Sequence, residues 1–125
     1  MAHVTPVVSA QEVFAVDGKI RWVALTTDKG DILVNQMRPG VHSYSPQDTD
    51  EEFVRLGPLT LLGVAEKYSA YVQGVDSVVV WFGLVACVYA RVASQVISVS
   101  IEKDLNSVSR FLTWLEKKKT QVLGK

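Results

Sequence analysis

The 125-residue sequence holds one cysteine, two histidines, four prolines and no excess of either charge, with 13 Lys plus Arg against 13 Asp plus Glu. Each scarcity removes a class of protein. The single cysteine, Cys87, rules out an internal disulfide framework and any thiolate cluster. Two histidines, His3 and His42, make a zinc site a poor expectation, so no metal or cofactor is expected. Zero net charge removes the long-range field that draws a chain to nucleic acid or anionic lipid. The longest apolar runs, such as Val78 to Phe82 and Leu84 to Tyr89, fall far short of the roughly 20 residues that cross a bilayer. No membrane insertion is expected. The first 15 residues lack a basic start and carry Glu12 where a signal would be apolar, which makes the cytoplasm the expected compartment.

What is present suffices for one folded unit. A 48% apolar fraction with three Trp, four Tyr and four Phe fills a single core. The expected layout is an N-terminal tail over 1–8, one domain over 9–120 and a C-terminal tail over 121–125.

Ser9 and Glu12 have capping-box spacing, with Val8 and Val13 at the staple positions, and predict a short helix from Ala10 to Asp17 that ends on a left-handed Gly18. Lys19 to Thr26 is apolar on both alternating sets, the pattern of a central strand. Thr27-Asp28-Lys29-Gly30 turns it into a second strand, Asp31 to Met37. Arg38 to Gly57, with two prolines, two glycines and the acids Asp48, Asp50, Glu51 and Glu52, reads as a long connection containing at most a helical turn over Pro46 to Leu56.

Pro58 at a first helical position predicts a helix over Leu59 to Val72, closed by Gly74. Its Leu59, Leu61, Leu62, Val64 and Ala65 cover more than the single stripe a helix needs against one sheet. The surplus asks for a second surface. Asp76 to Phe82, Leu84 to Val92 and Gln95 to Ile101, separated only by tight turns, predict an antiparallel meander. Asp104 caps a last helix through Leu105, Val108, Phe111, Leu112 and Leu115. The fold class is α+β, a five-stranded antiparallel sheet with flanking helices in the order α-β-β-α-β-β-β-α.

Chemistry is hard to assemble from these residues. His42-Ser43 with Asp48 or Asp50 lies within one loop and has no nucleophile elbow, so no enzyme is expected. The glycines form no phosphate-binding pattern. Cys87 reads as a small buried side chain, and Trp22, Trp81 and Trp114 as core fillers, with Trp81 on the strand whose two faces are both apolar.

With that element order in place, the chain resembles the roadblock/dynein-light-chain domains, grouped with profilin-like and longin-like folds. Lys19 to Met37 is similar to their opening hairpin, and the helix through Leu61, Leu62, Val64 and Ala65 and the Val78 to Ile101 meander to their later elements. Ile20-Arg21, Met37-Arg38-Pro39-Gly40-Val41 and Val99-Ser100-Ile101-Glu102-Lys103-Asp104 resemble a group of small archaeal proteins. The resemblance implies a non-catalytic regulatory or scaffolding module that forms a homodimer and binds a protein partner such as a small GTPase or signalling protein. It places the dimer interface on Leu59, Leu62, Ala65 and Glu66 of the middle helix and on Asp76, Ser77, Val78, Val79, Val80 and Trp81 of an edge strand. The competing reading is a PAS-like small-molecule sensor with the 38–57 loop as a lid and Arg38, His42 and Tyr44 as polar contacts to a ligand or partner.

Overall fold

The structure, a computed structural model, describes residues 4–45 and 47–123, apart from the side chains of 47–51 and 123. His3 and Pro46, and the side chains of Asp48, Asp50 and Glu51, therefore lie outside the described residues.

The strands β1 (Ile20–Thr27), β2 (Ile32–Met37), β3 (Val78–Trp81), β4 (Val85–Val92) and β5 (Gln95–Glu102) form one antiparallel sheet in the order β2-β1-β5-β4-β3. The hairpin and the meander follow the sequence expectation, and the long crossover between them carries the chain from one border of the sheet to the other.

Alternation sorts the side chains onto two layers. Val23 and Leu25 of β1, Ala86, Val88 and Ala90 of β4, and Ile97, Val99 and Ile101 of β5 face α1 (Ala10–Phe14) and α4 (Leu105–Leu123), where Val13, Phe111 and Leu115 complete the larger core. Burying a Phe or Leu of this kind stabilises by about 1.5–3 kcal/mol. On the opposite face Cys87, Tyr89 and Val96 meet Leu62 and the half-buried Phe53 and Leu59 of α2 (Gln47–Glu66). Ser98, which alternates with Ile97 and Val99 along β5, is buried as well.

Three boundaries differ from expectation. First, α1 stops at Phe14, and Gly18 is not among the residues with positive φ. Asp17 makes the turn instead, its Oδ1 accepting from the Lys19 backbone N–H at 2.8 Å. Ser9 does cap α1, accepting from Glu12 N–H at 3.1 Å, while the Glu12 carboxylate reaches Lys118 at 2.8 Å. Second, Arg38 to Gly57 is not one long connection, because α2 begins at Gln47 and runs through Gly57 and Pro58 without a break. A short α3 (Ser69–Val72) follows, closed by Gln73 at φ +65° and Gly74 at φ +100°. Third, described residues close to both ends make contacts with the domain or extend its elements. Gln95 pins the N-terminal segment by accepting from Val7 N–H at 3.0 Å and donating to Thr5 O at 2.7 Å, and α4 continues to Leu123.

Gly57 has a structural reason inside the helix. A Cβ there would stand 2.7 Å from the Phe53 ring, so glycine allows Phe53 to lie along the helix and tilt against Tyr89, 5.8 Å between centroids. Gly30 adopts φ +87° in the β1–β2 turn, and its would-be Cβ lies 3.2 Å from the Arg55 carbonyl, so the turn can seat against α2.

Two aspartates lock the α4 end of the molecule. Asp104 accepts from Lys19 Nζ at 2.7 Å and from Ser107 N–H at 3.0 Å, and these bonds, Lys19 first, hold its pKa at about 2. Burial works against ionisation of Asp17, but bonds from the Lys19 N–H, the Ser107 hydroxyl and the Arg110 guanidinium outweigh it and leave its pKa below the ordinary value. Both folded-state values lie below the unfolded value of 3.8, so the stabilisation is complete above that pH and is lost as pH falls toward 2. In urea titrations the gap in midpoint between the wild type and Asp104→Asn should be widest near neutrality and should close between pH 4 and pH 2. A pH-independent gap would show that the ionised form is not what the fold uses.

Candidate functional site

The meander leaves β3 at a border. Val78 pairs with Tyr89 and Val80 with Cys87, while the other side of β3 has no strand beside it among the described residues. Val78, Val79 and Val80 are half-buried and Trp81 is exposed, on a strand with neither the charge nor the proline that commonly guards an edge.

The helix leading toward this border carries a second unusual feature. Leu56, Thr60 and Val64 of α2, and Tyr68 and Val72 beyond its end at Glu66, are all exposed. Val64 is 56% exposed, Tyr68 63% and the adjoining Tyr71 82%. Exposed apolar residues are ordinary one by one, whereas several close together in sequence make a candidate interaction surface.

The residues expected at an interface fall into three groups. Leu62, at 1% exposure, belongs to the core of this chain, and Leu59 is half-buried against it. Glu66 is held by Arg91 through a bidentate pair of 2.6 and 3.0 Å. Ala65 and Ser77 are half-buried, whereas Asp76 is exposed and offers its carbonyl to Lys119. Leu56 lies outside the helix expected from Leu59 onward and joins α2 because that helix begins at Gln47.

The expected ligand loop is also divided. Arg38 is not available to a ligand: its guanidinium donates to the carbonyls of Ile20 at 2.6 Å and of Phe14 and Asp17 at 2.7 Å, with the Phe14 ring 5.0 Å away. His42 and Tyr44 are exposed. The His42 carbonyl accepts from Arg21 Nη2 at 2.9 Å, and the same guanidinium lies 4.3 Å from the centre of the Tyr44 ring.

Beside that stack a cavity of about 710 Å³ opens between the sheet and the first turns of α2, with Trp22, Met37, Phe53, Phe82 and Leu84 in its walls. The tryptophans correspondingly depart from a uniform core role. Only Trp114 packs on the main core, 5.5 Å from Phe111, whereas Trp22 borders the cavity and Trp81 is exposed on β3. Cys87 is buried at the cavity floor, and desolvation pushes its pKa up, which keeps the thiol protonated. Among the described residues no group of three or more His, Cys, Asp or Glu could hold a metal ion, and no helix is long and apolar enough to cross a membrane.

No family model and no curated protein matches the chain. Solved structures do. The gliding protein MglB from Thermus thermophilus aligns with a TM-score of 0.66 and 12% identity over 90% of this chain and 83% of its own. A roadblock/LC7 domain from Streptomyces avermitilis gives 0.61 and 12% over 89% and 93%, and a structure described as MglB with tetrameric arrangement gives 0.62 and 13% over 90% and 85%. Such identities speak for the fold, and the sheet order with its flanking helices agrees: in fold, this chain is a roadblock-like domain.

Proposed function

We propose that the chain is a non-catalytic regulatory or scaffolding module that works as a homodimer and binds a protein partner. The observation that supports this most is the group of exposed apolar residues from Leu56 to Val72, a surface that one copy leaves in water. Two copies related by a two-fold axis would cover it by apposing their α2 helices while their β3 borders pair, with Val78 to Trp81 at the join and Ala65 and Asp76 at its periphery. A contact of about 800 Å² per copy is ordinary for a stable dimer and within reach of such a surface. The likeness to MglB structures, one of them described as tetrameric, supports an assembling module. In this reading the partner is a small GTPase or another signalling protein, and the module operates in the cytoplasm. The PAS-like alternative gains no support, since the Ser45 to Leu56 segment supplies the start of α2 and not a separate helix.

Sedimentation velocity of the full chain at micromolar concentration tests the reading. A species of twice the chain mass is expected. A monomer at every concentration up to about 100 μM would overturn it, because that limit corresponds to less than about 5.5 kcal/mol of association energy.

A further inference from the structure

We propose that the cavity beside Arg21 binds a small amphipathic monoanion, a free carboxylic acid whose apolar body enters between sheet and helix and whose carboxylate meets the guanidinium. The inference does not depend on the dimer. Its first support is size and lining: about 710 Å³ falls within the roughly 300–1,000 Å³ of small-ligand sites, and the walls are mainly aromatic and aliphatic. Phe82 and Leu84 remain 45% and 65% exposed at the rim, so an apolar ligand body would cover surface that the chain leaves wet.

The charge of the head group follows from Arg21. It is the one charged residue among the described ones that line the cavity, and no ion pair involves it among the described residues. The Tyr44 ring and the His42 carbonyl fix its plane, yet His42 takes only one bond from a group with five N–H donors. A guanidinium held in place with donors to spare matches a carboxylate, which accepts two parallel bonds. Ser100, half-buried at the cavity floor, adds a hydroxyl without adding charge.

The probe is decanoate, kept below its micelle-forming concentration and titrated calorimetrically into the full chain. The expected result is saturable binding of one decanoate per chain, with a shift of the Trp22 indole N–H resonance, which is bonded to Asn35 at 2.8 Å beside the cavity. Decyltrimethylammonium, equal in chain length and opposite in charge, should bind at least about tenfold more weakly, and Arg21→Met should weaken decanoate by a similar factor. Ser100→Leu should abolish binding by filling the floor. If that variant fails to fold, Leu84→Glu on the exposed rim should weaken decanoate by placing a like charge at the mouth. Val64→Glu should bind decanoate as the wild type does, which separates this inference from the dimer. Absence of saturable heat, equal affinity for both head groups, or an unchanged affinity in Arg21→Met would each overturn the proposal.

Discussion

Replacing Arg38 with alanine lowers the unfolding free energy by about 3 kcal/mol, read from urea titrations at 25 °C, and is the most damaging single polar substitution expected in this chain. The guanidinium serves three carbonyls, that of Phe14 at the end of α1, that of Asp17 in the turn after it and that of Ile20 in β1. Hydrogen bonds from a charged donor contribute about 1.5–3 kcal/mol each, and carbonyls left without a partner in a part-buried site add their own desolvation cost. The three contributions do not simply add, because the α1 end can relax toward water. Arg38→Lys should recover only part of the loss, since one ammonium at the end of a flexible stem cannot reproduce the bonds that Nε and Nη2 make to three separate carbonyls. A loss below about 1 kcal/mol for the alanine variant would show that water replaces the guanidinium at little cost.

Val64→Glu should raise the dissociation constant of the dimer at least about 100-fold and leave a folded monomer at micromolar concentration. In a two-fold assembly every substitution appears twice, so two Val contacts are lost and two carboxylates are brought into one interface. Val64 is more than half exposed in the single chain, so the change leaves the internal core intact and circular dichroism should be that of the wild type. A lysine at Val79, the position that edge pairing alone would suggest, is a poorer test because Val79 is half-buried against the α4 side of the core. Ser109→Glu, exposed on α4, is the control and should sediment as the wild type. If Val64→Glu and Ser109→Glu sediment alike, the exposed side of α2 around Val64 is not where two copies meet.

Most of the fold can be read from local patterns. The β1–β2 hairpin follows from its Thr-Asp-Lys-Gly turn, and Gly30 does adopt positive φ there. The meander follows from three β-rich runs separated by gaps too short for anything but turns, one of which places Ala93 at φ +55°. Asp104 caps α4 as its position suggests. The central helix defeated the local rules. Proline inside a helix costs about 3 kcal/mol, which favours starting the helix at Pro58. Tertiary packing reverses that preference: Pro58 is buried, Val54 one turn earlier is at 1% exposure, and Phe53 reaches Tyr89. Burial of this kind involves strands far away in sequence, so no window around Pro58 contains it.

The candidate surface was legible in amount but not in direction. An excess of apolar residues on the middle helix is visible from composition alone. Which of them face the sheet depends on which stripe the tertiary core takes, and a helix with apolar residues on more than one stripe leaves that open. The core takes Leu62 and part of Leu59, Val64 stays exposed, and Leu56 joins the helix only because α2 begins at Gln47. The cavity depends on Phe53, Phe82 and the β1–β2 hairpin meeting across the fold, which no short stretch of sequence encodes.

Pro58 has one further consequence. Lacking an amide hydrogen, it leaves the Val54 carbonyl without its usual helical donor, so the two halves of α2 are joined by a weaker ladder than the helix length suggests. Deuterium uptake should therefore fall into two zones, faster for amides before residue 58 and slower for those after it, where Leu62 anchors the turn. The first half also walls the cavity, so anything lodged there would slow exchange in that zone and leave the second almost unchanged.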